Sequence, residues 1–211
     1  MMPFYVLGKI PAGPDRTVFL PMEPDNTGEA RHCPDCDATV SSLAWLPPYR
    51  ARIDATRGKL GDLADGVGGS LLVSERFRKA WEERQLKGIP AFTPLERIRV
   101  RPARLGKPSP VYYVIAPQLY GAKIDFARSH FTYGGIITCE TCRSMKKFKT
   151  VNGFALEEGT WTGEDIFRAW GFPGTVLVTD RVRQLRDDYD LKNVELTPIE
   201  EYHLPEFTLL D

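Results

Sequence analysis

Gly66-Val-Gly-Gly-Ser-Leu-Leu-Val-Ser-Glu-Arg-Phe-Arg-Lys79 has a counterpart 105 residues further on, Gly171-Phe-Pro-Gly-Thr-Val-Leu-Val-Thr-Asp-Arg-Val-Arg-Gln184. In each, a short apolar run of β type is followed by a hydroxyl residue, an acidic residue and a helix-forming run. Ser74 and Thr179 are placed to N-cap a helix, and Glu75 and Asp180 suit its positive end. Phe77, Ala80 and Trp81 recur at helical spacing in the first stretch, and Val182, Leu185 and Tyr189 in the second, which predicts core rather than a ligand platform. Gly88 and Asn193 suit the left-handed residue that ends a helix. Further strands are expected around Glu96–Arg101 and Val194–Pro198, giving a βαβ-like unit twice.

The likeness extends outward. Leu86-Lys87 meets Leu191-Lys192, and with a one-residue slip Thr93-Pro94-Leu95-Glu96 meets Thr197-Pro198-Ile199-Glu200. Phe4-Tyr5-Val6-Leu7 has a looser echo in Tyr112-Tyr113-Val114-Ile115. The economical reading is two diverged copies of one strand-rich unit, 1–105 and 106–211, in an α+β fold. Convergence of strand–helix–strand units is the competing explanation. Elsewhere Val111–Ala116 and Gly135–Thr138 read as strands, and Thr162 as the cap of a helix running through Trp170 to Gly171. Pro11–Pro14 and Pro102–Pro110 read as loops, the second a seam between the copies.

All four cysteines of the 211 residues fall into two pairs of one spacing, Cys33-Pro-Asp-Cys36 and Cys139-Glu-Thr-Cys142. Two intervening residues let the chain turn and aim both sulfurs at one ion, and two such knuckles supply a closed tetrahedral zinc site. Here 102 residues separate the knuckles, far beyond the usual ribbon, so the zinc would clip distant parts of the chain, one ion per chain. Four thiolates leave no position for water, which makes the ion structural. Redox dithiols and chance pairs are the alternatives. His32 adjoins the first knuckle and reads as a bystander.

Composition bounds the rest. Apolar residues are 42% and charged residues 27%, the make-up of a folded globular chain rather than a disordered one. Such a length buries roughly 70% of its unfolded surface. No apolar run nears the ~20 residues of a membrane helix, and the opening has no basic start or long apolar centre, so a cytoplasmic location, where thiols stay reduced, is expected. Lys+Arg and Asp+Glu balance at 28 each, but from Arg97 to Lys149 eleven basic residues face two acidic, net +9, and from Val151 to Asp211 five face thirteen, net −8. Arg97, Arg99 and Arg101 would project from one strand face, and Lys146, Lys147 and Lys149 follow the second knuckle. The plain reading is solvated faces that partly pair with each other. The sharper ones are a basic groove for nucleic acid or an acidic face for a basic partner protein.

No nucleophile elbow, zinc-protease motif or phosphate loop appears. Gly66-Val-Gly-Gly precedes its strand, and His32, His130 and His203 have no partners in the sequence that compose a triad. The chain is expected not to be an enzyme.

Phe4-Tyr-Val-Leu, His32-Cys-Pro-Asp-Cys36, Cys139-Glu-Thr-Cys142 and Phe167-Arg-Ala-Trp-Gly-Phe-Pro-Gly-Thr-Val-Leu-Val-Thr-Asp-Arg181, in this order, resemble the double-CXXCG proteins, paralogues numerous in myxobacteria. The resemblance runs over nearly the whole chain. The family's glycine after each knuckle is replaced by Asp37 and Arg143. That glycine permits a left-handed backbone, which Asp tolerates better than Arg, so distortion is expected at the second knuckle. Some members are immunity proteins against polymorphic toxins. The resemblance implies a cytoplasmic immunity protein that binds its toxin and occludes the active site. For a basic nuclease toxin, the expected contact face is acidic: Glu157, Glu158, Asp187, Asp188, Asp190, Glu200 and Glu201. The alternatives are a zinc-ribbon-like nucleic-acid binder using Arg97–Lys149, and a structural adaptor.

Overall fold

Strand β7 (Leu71–Ser74) hands the chain directly to helix α1 (Glu75–Glu83), and Ser74 makes the join: its hydroxyl accepts from Phe77 N at 3.1 Å. Strand β16 (Phe172–Thr179) hands over to helix α2 (Asp180–Asp188) in the same way, but Thr179 Oγ1 makes no cap bond and instead donates to Asp165 at 2.8 Å. These are the helices of the computed structural model, which describes residues 3–8, 17–22, 26–55, 59–133, 138–143 and 148–205. Each ends earlier than the sequence implies. The left-handed residues just past the helices are Gln85 (φ 51°) and Asp190 (φ 47°), while Gly88 (φ 106°) and Asn193 (φ 61°) are left-handed three residues later. Gly88 is there because a Cβ would lie 2.0 Å from Ile166 O.

The largest sheet orders its six strands β14 (Ala155–Leu156), β11 (Gln118–Asp125), β15 (Ile166–Trp170), β16, β1 (Phe4–Gly8) and β17 (Glu195–Pro198). A four-stranded sheet orders β6 (Leu63–Asp65), β7, β10 (Tyr112–Ile115) and β8 (Thr93–Pro94). Smaller sheets join β12 (Phe131–Tyr133), β13 (Phe148–Asn152) and β18 (His203–Leu204), then β2 (Thr17–Pro21), β5 (Arg50–Ala55) and β9 (Arg97–Arg101), and finally β3 (Asn26–Thr27) with β4 (Trp45–Leu46).

The expected division at 105/106 is crossed by both main sheets. Strand β1 pairs with β16, Phe4 opposite Thr179, Tyr5 opposite Val178 and Val6 opposite Leu177. Strand β10 pairs with β7, Tyr112 opposite Ser74, Tyr113 opposite Val73 and Val114 opposite Leu72. On their other edges Tyr5 faces Pro198 and Tyr113 faces Pro94. Both β7 and β8 are antiparallel to β10, so they run the same way on its two sides; β16 and β17 do likewise about β1.

Burial follows the strand period of two. Val176 and Val178 turn towards a core with Leu71, Val73, Phe77, Trp81, Val182 and Leu185, into which both helices pack. Leu177 turns the other way, to Val6, Ile124, Phe154, Phe167 and Phe172. Phe77 and Trp81 stack at 5.7 Å, in the core as the helical spacing predicts.

The helix expected from Thr162 to Trp170 is not formed: Ile166–Trp170 is strand β15, parallel to β11 and antiparallel to β16, with Ile166 to Ala169 buried. A strand covered on both faces reads as a mostly apolar run, here broken by Arg168, and a short buried helix reads the same way. The strand expected over Glu96–Arg101 is β9, with the short β8 just ahead of it, and Pro102–Pro110 contains a 3-10 turn at Ala103–Gly106. Pro11–Pro14, Lys146, Lys147 and residues 135–137 of the expected Gly135–Thr138 strand lie outside the described residues, and Thr138 is in no strand. No helix among the described residues is long and apolar enough to cross a membrane.

Candidate metal centre

Each knuckle is a tight turn closed by backbone: Asp37 N donates to Cys33 O and Arg143 N to Cys139 O, both at 3.0 Å. The chain leaves each turn through a left-handed residue, Asp37 (φ 58°) and Arg143 (φ 48°). The two turns face each other. Cys33 Sγ lies 3.9 Å from Cys139 Sγ, and Cys36 Sγ 3.5 Å from Cys142 Sγ; all four sulfurs fall within 4.8 Å of one another. A disulfide needs about 2.05 Å, and all four thiols are free. Four sulfurs about 2.3 Å from a central zinc stand about 3.8 Å apart, so the donor set and its spacing fit one tetrahedral metal ion with thiolate ligands.

The surroundings hold the turns in place. Cys33, Cys139 and Cys142 are buried and Cys36 is exposed. Val40, Ala38, Tyr120 and Trp170 pack on the cluster, and the Tyr120 and Trp170 rings stack at 3.4 Å. Thr141 Oγ1 donates to the Asp35 carboxylate, tying one knuckle to the other. Gly171 N donates to Cys142 O at 3.0 Å, fixing the second knuckle to the β15–β16 turn. The amide of Cys142 brings the Cys139 thiol down to about 7 against the opposing effect of burial, with the Thr141 amide assisting; the thiolate is the form that binds metal. His32 is outside the sulfur group: its Nδ1 sits 2.8 Å from Asp37 O.

The acidic residues singled out above sit on separate elements, and most are already paired. Glu157 meets Arg143 at 2.5 Å and Glu158 meets Arg128 at 3.2 Å. Asp187 pairs with Arg183 and Arg186, Asp188 with Arg84, and Asp190 with Lys192. Glu200 and Glu201 are exposed in the turn after β17 and have no ion-pair partner among the described residues. On the basic side, Arg97 and Arg99 of the edge strand β9 stand beside Arg50 and Arg52 of β5, and Arg101 beside Asp54. Arg97, Arg99 and Arg101 are exposed, unpaired among the described residues, and line a groove with Arg52.

Sequence reasoning passed over two buried carboxylates. Asp62 accepts from Ser74 Oγ at 2.6 Å, from the Arg76 guanidinium and from Lys192 N at 2.7 Å. Asp165 accepts from Thr179 Oγ1, from Arg181 at 2.9 Å and from Lys87 N at 2.9 Å. Each takes a backbone amide from the other half of the chain. Neither has a signal in the sequence beyond lying ahead of one of the two aligned strands, Asp62 12 residues before Ser74 and Asp165 14 before Thr179. Among known proteins, the chain matches no family model and no curated protein.

Proposed function

We propose that this chain is a non-enzymatic, zinc-clipped cytoplasmic immunity protein that binds a cognate toxin and occludes its active site. The observation that carries the reading is the backbone at Asp37 and Arg143. Both are left-handed, the conformation for which glycine is the natural choice, and both stand where the double-CXXCG pattern has its glycines. The departure at these positions is one of side chain, with the backbone habit of the family retained. A closed set of four thiolates supports a structural zinc, one per chain, that leaves no coordination site for chemistry. The toxin meets an acidic face, and Glu200 and Glu201 carry its unneutralised charge.

The scaffold itself is read as two copies of one unit that exchange their first strands. That reading is supported by the matching registers of β1 on β16 and β10 on β7, and by the reciprocal amides given to Asp62 and Asp165. The two knuckles then meet on the pseudo-twofold axis, where Cys33 faces Cys139 and Cys36 faces Cys142.

Co-expression with the product of the adjacent gene tests the function. Rescue of growth together with a stoichiometric complex is the expected result; absence of both removes the immunity reading. A second reading, nucleic-acid binding, is favoured by the unpaired arginines of β9 beside Arg50 and Arg52. It requires binding that weakens steeply with salt, by about one power of salt concentration per phosphate neutralised, and is lost in the Arg97→Ala/Arg99→Ala/Arg101→Ala variant.

A further inference from the structure

Three charged residues among those described are buried: Asp62, Asp165 and Arg168. The two carboxylates have cationic partners in Arg76 and Arg181. Arg168, only 7% exposed, has none among the described residues. It interrupts the apolar run of β15, Ile166-Phe-Arg-Ala-Trp170. Its guanidinium donates to Pro173 O at 2.7 Å and to Gly69 O at 2.5 Å. Those carbonyls satisfy two of five N–H groups and leave the charge without a counter-charge among the described residues. Burying an uncompensated charge is strongly unfavourable, so such a residue asks for an anion.

The space for one is present. A cavity of about 420 Å³ opens on Arg168, next to the first knuckle, where Val40 lines both the cavity and the cysteine cluster. Arg31 and Ser42 line it from one side and Trp45 gives it an apolar wall. Gly69 is left-handed, and a Cβ there would come 3.2 Å from Arg168 Nη2. The glycine therefore keeps the approach to that nitrogen clear. The volume falls in the range of small-ligand sites, which pair apolar walls with a few placed polar groups.

We propose that this cavity is a binding site for an oxyanion, a carboxylate or phosphate group, with Arg168 as its counter-charge. Arg168 is planar and donates in a fixed fork, which matches two oxygens of one such group. The anion comes either from a free small molecule or from an acidic side chain presented by a bound protein. The site goes beyond the immunity reading and does not depend on it.

Calorimetric titration of the full chain separates the two sources. One arm uses sodium phosphate and the other a doubly blocked Gly-Glu-Gly tripeptide, each against sodium chloride at equal ionic strength. Saturable one-to-one binding of phosphate supports the free-anion source, and binding of the peptide but not its Gln analogue supports the side-chain source. Either must weaken at least tenfold in Arg168→Gln and in Ser42→Phe. Ser42 is exposed and 3.7 Å from where a Gly69 Cβ would sit, so the phenyl ring crowds the approach to Arg168 beside Gly69 without replacing Arg168 itself. Should Arg168→Gln fail to fold, Ser42→Phe decides. No saturable binding of either probe, or binding that survives Ser42→Phe, overturns the site.

Discussion

Asp37 and Arg143 hold the same backbone shape for different reasons, and glycine separates them. A left-handed L-residue costs roughly 1–2 kcal/mol, less for Asp than for most. The Asp37 side chain is 92% exposed and only brushes His32, so Asp37→Gly is expected to stabilise the metal-loaded protein by about 0.5–1 kcal/mol. Arg143 is anchored: its guanidinium donates to Ile124 O at 2.7 Å and meets Glu157, and its side chain is 17% exposed. Arg143→Gly is expected to destabilise by about 1–2 kcal/mol, since Ile124 O is left without that donor. Urea unfolding of the two variants checks the opposite signs; a shift in the same direction for both sinks the account. At this scale the cysteines were legible, because a thiol pair two residues apart has few other uses. Arg168, Asp62 and Asp165 were not, because burial of a charge depends on partners remote in sequence: Asp62 meets Lys192 N from 130 residues away.

At the scale of elements, the strands and helices of the repeated stretch were legible because apolar run, cap and helical face agree over β7–α1 and β16–α2. Strand β15 was misread because Thr162-Gly-Glu-Asp165 imitates a capped start. The Asp165 carboxylate does bind a backbone amide, but that of Lys87, so it ties down the segment after α1 rather than opening a helix of its own. Asp165→Ala leaves the buried Thr179 hydroxyl and the Lys87 amide without their acceptor. Arg181, with its side chain 49% exposed, can turn to water. The expected cost is about 2–4 kcal/mol, with faster hydrogen exchange at residues 86–88; a loss within 0.5 kcal/mol would show that the tie is immaterial. Both helices also start with one device. Arg78 holds the Glu75 carboxyl down to about 2, with help from Tyr113, and Arg183 lowers that of Asp180. A depressed carboxylate stabilises the fold above its unfolded pKa, near 4.3 for Glu and 3.9 for Asp, and stops doing so as pH falls through its folded value. The Glu75→Gln/Asp180→Asn protein is therefore expected to lose less stability than the parent between pH 4.5 and 2, read as the pH dependence of Tm. An unchanged slope would place the acid sensitivity elsewhere.

For the whole molecule the question is what a metal ion at the four sulfurs would add to halves already joined by strands. The sequence showed that Phe4–Leu7 resembles Tyr112–Ile115 but not which sheet each strand would enter, since likeness says nothing about partners. In the fold β1 lies between β16 and β17, and β10 between β7 and β8, so each half completes the other's sheet. A metal ion held by the four sulfurs would close a second link across 102 intervening residues. A cross-link over a loop of about 100 residues constrains the unfolded chain by up to about 4.7 kcal/mol in the chain-entropy account. A small zinc finger unfolds when its ion is removed because nothing else joins its parts. Here β1 and β10 cross between the halves, and the core shared by α1 and α2 does not include the sulfurs. Chelation, or Cys139→Ser, is expected to lower Tm by roughly 5–15 °C while the far-ultraviolet circular dichroism at 25 °C stays that of a folded sheet protein. Two outcomes would separate the clip from the strands in the other direction. Collapse of the sheet signal on chelation would mean that the crossing strands cannot hold the halves alone. A Tm indifferent to both treatments would mean that the sulfurs clip nothing.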